Sequence, residues 1–279
     1  MQSGTEINRA AEESSQLLAR TYSRYRADRR KRTWIVLLTQ TAILIACVGL
    51  WELAGRMKWI DVLLFSYPSK VWEQIVQDFA DGSIWPHLGM TVGETVAGFV
   101  LGTLFGTLLA VVIWRSDFLA RVLDPYMVVF NSMPKVALGP LFIVGFGAGF
   151  AAIVATTLSI TVIITTIVVY NSFREVDPNY IKVVRVFGGG KSVIFSKVIL
   201  PASFPAIVST LKVNVGLAWV GVIVGEFLVS KIGLGYLIIY GFQVFNFTLV
   251  MASLVIIAVV ATLMYQGVAY LERAWLNRS

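Results

Sequence analysis

The chain has 279 residues, 57% hydrophobic and 14% charged, with a formal net charge of +7 and a mean hydropathy of +0.76. About a quarter of the residues of a water-soluble domain are charged; a chain with so few needs lipid as the solvent for its apolar surface. A single cysteine, Cys47, and a single histidine, His87, exclude an intrachain disulfide and a zinc site built from those ligands. The positive charge collects in tails and short loops, which suits the anionic inner face of a membrane rather than nucleic acid. No Ser/His/Asp constellation is arranged for catalysis.

The chain opens with a polar arm, residues 1–33, that ends in Arg29-Arg30-Lys31-Arg32. A cleavable signal has a short basic region followed at once by a short apolar core. Here a long polar stretch precedes a full-length span, so the arm is expected to remain in the cytoplasm. Within it, Glu12–Tyr25 is patterned as an amphipathic helix, with Leu18, Tyr22 and Tyr25 on one side, suited to the inner membrane surface.

About 20 mostly apolar residues cross the hydrocarbon as a helix, and residues 34–271 contain six such runs. They are Trp34–Ala54, Leu88–Trp114, Val122–Phe146, Ala151–Tyr170, Ile207–Val229 and Leu249–Leu271. The third is interrupted by Pro134 and Pro140, each of which removes a backbone donor. Ser69–Phe79 reads as a further, non-spanning helix, and residues 272–279 as a short tail. The expected fold class is all-α: a polytopic membrane protein of six spans. Orientation follows from the basic residues. With both termini inside, the outer regions hold only Arg56, Lys58, Lys70 and Lys231, while the arm, residues 115–121, residues 171–206 and the tail hold the rest of the loop cations.

The longest loop, residues 171–206, is patterned rather than loose. Pro178 opens a helix, and Val184 and Phe187 stand three apart. Gly188-Gly189-Gly190 permits a sharp corner. A second amphipathic piece, Lys191–Leu200, carries Val193, Ile194 and Val198 and is expected to end at Pro201 and Pro205. Two short helices at a glycine corner make a knob. Its apolar residues Val183, Val184 and Phe187 suggest docking to a partner. Gly188 is expected in a conformation that a β-branched residue resists. The run Gly188–Ser192 is not a P-loop, because Arg185 stands where that pattern requires glycine and no strand precedes it.

Ionisable groups inside spans are costly and face a bundle interior or a cavity. Glu94, Lys135 and Glu226 are the three that stand out. Lys135, between two prolines, either lines a pathway and attracts an anion or forms a structural pair with Glu94 or Glu226. Glu226, near the outer end of its span, reaches interfacial water on the simplest reading, and His87 is an outer-surface residue. Glu52 and Lys212 lie near span ends, where a side chain reaches the interface.

Here the sequence resembles a family. Gly188, nine residues, then Val198-Ile199-Leu200-Pro201 is similar to the EAA coupling loop of ABC importer permeases, with Lys182-Val183-Val184 in place of the Glu-Ala-Ala triplet. Met133-Pro134-Lys135-Val136-Ala137-Leu138-Gly139-Pro140, and Trp219, Glu226 and Gly233-Leu234-Gly235-Tyr236, resemble the branch that serves nitrate, sulfonate and taurine uptake. The resemblance covers residues 88–271. It implies a type I (MetI-like) permease subunit of the bacterial inner membrane, working as a homodimer with two cytoplasmic ABC ATPase subunits and an extracytoplasmic solute-binding protein.

On that resemblance the chain holds no cofactor and catalyses no covalent chemistry, and ATP and Mg belong to the partner ATPase. Val183, Val184, Phe187, Gly188, Leu200 and Pro201 would couple to the ATPase. Lys135, Glu94, Glu226 and Trp219 would line the path of a small solute, an organic or inorganic anion. The competing reading is a self-sufficient secondary carrier or channel, which leaves the knob at residues 178–201 unexplained.

Overall fold

The computed structural model describes the backbone of residues 2–276 and the side chains of Tyr25, Arg29 and residues 31–275. Among the described residues every regular element is helical. In chain order these are α1 (Gln2–Arg56), α2 (Val62–Phe65), α3 (Pro68–Ala80), α4 (Ile84–Arg115), α5 (Asp117–Ser132), α6 (Gly139–Phe146), α7 (Phe150–Arg174), α8 (Pro178–Val186), α9 (Lys191–Ile194), α10 (Leu200–Val229), α11 (Leu234–Gln243) and α12 (Phe247–Leu276). Five helical stretches are long and apolar enough to span a membrane. The sixth span is the pair formed by α5 and residues 135–146, bent by 92°.

The break comes where the sequence places it. Met133 is extended (φ −69°, ψ 142°), as the ring of a following proline demands. One 3₁₀ turn, Lys135–Leu138, then leads into α6. Pro140 lies in the first turn of α6, where no donor is missed.

The residues divide into two compact units. The first runs to Val62 and takes in Tyr67–Ser69; the second comprises Leu63–Ser66 and everything from Lys70 onward. In the first unit α1 is a single helix, so the arm and the first span share one backbone. The expected surface-lying face of Glu12–Tyr25 lies, apart from Tyr25, outside the described side chains. Trp34, Leu37, Leu38, Ile43, Leu44 and Ile45 are all exposed, an apolar surface of the kind a membrane-spanning helix carries. Glu52 is tied within this unit. It accepts from Arg56 Nε at 2.6 Å, from the Ser69 amide at 2.9 Å and from the Ser69 hydroxyl.

In the second unit α7 is the hub, and glycine and threonine explain why. Gly98, Gly102 and Gly106 recur every fourth residue along one face of α4. A Cβ added to them would lie 2.9, 2.6 and 2.5 Å from the Cβ atoms of Thr157, Thr161 and Thr165 on α7. The matched order makes the two helices parallel, with backbones as close as side chains permit. Helices associate in lipid through such close approach rather than through a hydrophobic drive. The threonine hydroxyls donate to carbonyls four residues earlier, at 2.7–2.9 Å, so the seam carries no unpaired donor.

On its other flank α7 meets α10, which runs antiparallel. A Cβ on Gly221 would meet Thr157 Cα at 2.8 Å, and one on Gly225 would meet Ile153 Cα at 3.3 Å. Asn214 on α10 ties all three helices, its Nδ2 donating to Thr103 Oγ1 at 2.8 Å and Thr165 Oγ1 at 2.7 Å.

Two expectations are corrected here. Pro201 and Pro205 do not end the second knob helix. The chain runs from α9 through one π turn, Phe195–Ile199, straight into α10. Pro201 falls in the first turn of α10 and Pro205 inside it. The wide turn, in which the Leu200 amide reaches Phe195 O, resets the register just before a residue that has no amide to donate. Nor does Lys212 reach for the interface: its Nζ lies 2.7 Å from Glu272 Oε2 on α12, a nearly buried carboxylate.

The seam gives a direct test. Gly106→Ala places a Cβ 2.8 Å from the Val162 carbonyl oxygen, which cannot move aside. It should lower stability by about 1–3 kcal/mol, seen as a lower melting temperature of the detergent-solubilised protein. Gly93→Ala on the same helix has open space at its Cβ and should be neutral or mildly stabilising.

Candidate functional site

At one end of the second unit stands the knob. Asp177 caps α8 by accepting from the Asn179 amide at 2.8 Å, and Pro178 fills the first turn. The helix closes through a paired C-terminal motif: the Gly188 amide donates to Arg185 O and the Gly189 amide to Val184 O, both at 2.9 Å. The two glycines serve different needs. Gly188 takes φ +79°, the left-handed conformation expected for it. A Cβ on Gly189 would collide with Val184.

Ile181 and Val184 rest on an apolar cluster that includes Ile113 of α4, Phe173 of α7, Ile194 of α9 and Ile199. Trp114 and Phe173 flank Phe195 at ring-centroid distances of 5.0 and 5.6 Å. The knob is therefore seated on the helix ends.

This seating revises which residues face out. Val184 points inward and does not share a face with Phe187. Phe187 lies just past the last helical residue (φ −81°, ψ 13°), so helical spacing does not carry to it. Val183 is exposed, as expected. Val186 at 84% and Phe187 at 86% exposure are the most open apolar side chains of the knob. Val186 was missed; its signal is the inward pair Ile181 and Val184, which sets the opposite face at Lys182, Val183 and Val186. Leu200 and Pro201 are on the surface at the start of α10.

At the opposite ends of α4 and α10, Glu226 is the centre of a buried latch. Its Oε1 accepts from Thr91 Oγ1 and its Oε2 from the Gly235 amide, both at 2.6 Å. The Leu234 amide donates to Thr91 Oγ1 at 2.8 Å, and the Gly233 amide to His87 Nδ1 at 3.0 Å. His87, half-buried, stacks on Tyr236. Glu226 thus does not reach interfacial water: it is 1% exposed and helps hold the first turn of α11, where the Gly235 amide has it as acceptor. Gly233, at φ +144°, has no room for a side chain against that carboxyl.

Beside the latch, burial pushes the Asp78 carboxyl above its ordinary value. Asp78 Oδ1 accepts from Gln74 Nε2 at 2.7 Å. The sequence reading ended the fifth span at Val229 and gave residues 234–243 no helix of their own, because ten residues are too few to register as a span.

Of the four intramembrane candidates the fold brings only Glu94 and Glu226 together as neighbouring carboxyls. Glu94 is fully buried one turn beyond Thr91; neither oxygen meets a donor among the described residues, and Glu226 is its ionisable neighbour. Trp219, seven residues before Glu226 on the same face of α10, is 5% exposed, and its Nε1 has no partner among the described residues. Lys135 stands apart at the bend. It forms no ion pair with Glu94 or Glu226, and its Nζ donates to Asn131 O at 2.8 Å. The structural pairing considered for Lys135 is therefore not formed.

Residues 102–277 match the family described as the binding-protein-dependent transport system inner membrane component, and the chain belongs to that family. It is the permease component of an ABC importer.

Among its relatives is the putative aliphatic sulfonates transport permease protein SsuC of Bacillus subtilis, 29% identical over 91% of each chain. The taurine transport system permease protein TauC of Escherichia coli is 23% identical over 82% of this chain and 86% of its own. Of solved structures, the inward-facing MetNI methionine ABC transporter aligns with a TM-score of 0.56 at 25% identity, covering 68% of this chain and 93% of that one. A bacterial transporter that imports alginate shares the fold, with a TM-score of 0.62 at 15% identity over 88% of this chain and 96% of its own.

Removing the latch has a defined outcome. Glu226→Ala strands the Gly235 amide, at a cost of about 1–3 kcal/mol for a buried group left unpaired, while the Thr91 hydroxyl keeps the His87 carbonyl at 3.1 Å. Hydrogen exchange should then accelerate at Gly235 and Tyr236 while the α4–α7 seam stays protected. Unchanged exchange at α11 would show that Glu226 does not hold it.

Proposed function

We propose that this permease forms, with a second copy of itself, the path of a small anionic solute, and that the knob at residues 178–201 docks in a groove of a cytoplasmic ATPase. On this reading ATP and Mg stay with that partner, an extracytoplasmic protein delivers the solute, and both termini face the cytoplasm. The observation that carries it is the exposure of Val186 and Phe187 on an element anchored to the ends of α4 and α7. An apolar surface is normally left exposed for a partner, and a seated one can transmit force. A small anion such as a sulfonate is favoured by the relatives named for aliphatic sulfonates and taurine. It is favoured also by Lys135, an ammonium at a helix break with no carboxylate partner among the described residues.

The coupling arm of the test is Phe187→Ala, which removes an aromatic anchor of the kind that dominates interfaces, and Gly188→Val, which is strained at φ +79°. Either should release the ATPase, or abolish ATP-driven uptake in reconstituted vesicles while futile hydrolysis continues. Membrane insertion should be unaffected. Normal coupled transport in both variants overturns the reading.

The substrate arm is separate. Lys135→Ala should cut uptake of a radiolabelled sulfonate by about tenfold or more, the loss expected of a charge-assisted contact, with ATPase retention unchanged. Wild-type uptake by that variant removes the lysine from the path.

A further inference from the structure

The outer face of the knob carries a charge pattern as definite as its apolar one. From Pro178 to Pro201 the sequence holds Lys182, Arg185, Lys191 and Lys197 and no carboxylate. Lys191 is matched by Asp117 at 3.4 Å, and Asp177, just before the segment, is spent on capping α8. Lys182 and Arg185 are left exposed without an ion pair among the described residues. They flank Val183 and Val186 on the same helical turns. Ile181 and Val184 seat α8 against Ile113, Phe173 and Ile194 at the ends of three other helices, so the face bearing Lys182, Val183 and Val186 is turned away from the spans, with the exposed Arg185 at its edge, four residues on from Ile181.

Resting on the docking reading above, we propose that the ATPase groove that receives this knob has an apolar floor for Val183, Val186 and Phe187 and a rim of Asp or Glu carboxylates facing Lys182 and Arg185. The physical case is complementarity. Two cations brought onto a neutral or basic surface would lose hydration without recompense. Opposite charges across an interface speed encounter and fix register. Lys182 and Arg185 also stand on one turn of the helix, so a carboxylate pair opposite them sets the rotation of α8 in the groove as well as its depth. The alternative use of these cations, contact with anionic lipid, requires the face of α8 to turn back toward the bilayer, which its seating on Ile181 and Val184 opposes.

The test uses the full-length tagged permease in detergent with the ATPase that co-purifies with it, identified by mass spectrometry. Binding of that ATPase to immobilised permease is measured from about 50 to about 300 mM salt, a range over which exposed charge pairs are progressively screened. Wild-type affinity should fall with salt. The double variant Lys182→Glu, Arg185→Glu should bind at least about tenfold more weakly at low salt, the penalty of like charges across an interface, and should lose or reverse the salt dependence. Replacing the facing ATPase carboxylates by lysine should restore binding to the double variant alone.

Val186→Asp separates the two proposals. If it leaves binding intact, the docking reading fails. If it releases the ATPase while the double charge reversal binds with wild-type affinity and salt dependence, docking stands and the acidic rim is refuted, the cations then serving the membrane surface.

Discussion

The close approach of α4 to α7 is the constraint on which the rest depends. In lipid no water is released when two apolar helices meet, so they are held by contact and by polar links between them. Three glycines opposite three threonines let the two backbones nearly touch, and each threonine keeps its hydroxyl bound within its own helix. With α4 and α7 fixed in parallel, their shared end presents Ile113 and Phe173 side by side. That pair is the seat of the knob. At the other end, the same arrangement brings Thr91 of α4 to Glu226 of α10. The glycine–threonine seam thus positions both ends.

The polar groups inside the bundle divide by task. Asn214 bridges three helices, and Glu226 holds the start of α11. Lys212 and Glu272 pair across α10 and α12. Each is partnered where a lone polar group would be costly. Three groups depart from this: Glu94 and the Trp219 indole meet no partner among the described residues, and Lys135 is bound only to a carbonyl of the preceding helix at the place where the third span breaks. A charge left so lightly engaged is available to something else.

Much of this was legible in the sequence. Hydropathy located all six spans, because an apolar run as long as the hydrocarbon is thick is rare in any element that meets water. The prolines marked the break in the third span, and Gly188 declared its positive φ. Three features were not legible. Glycines 98, 102 and 106 are conspicuous only once the threonines facing them are known, since pairing between helices leaves no local trace. Glu226 looked like an interfacial carboxylate because its partners, Thr91 and Gly235, lie on two other elements. Pro201 and Pro205 read as stops, yet a proline in the first turn of a helix costs nothing and a π turn absorbs the mismatch ahead of it. Each failure concerns how a residue is answered from elsewhere in the fold, which residue type alone does not encode.

The unbroken path from Lys191 to Val229 has a mechanical meaning. Thirty-nine residues form one rod, about 58 Å long at ~1.5 Å per residue. The glycine corner joins one tip of this rod to α8, and Glu226 lies within a turn of the other. A tilt of about 5° at the first tip would sweep the second by about 5 Å, roughly one helical turn's rise. The π turn, Phe195–Ile199, is where that rod departs from α-helical register, close to the knob and far from α11.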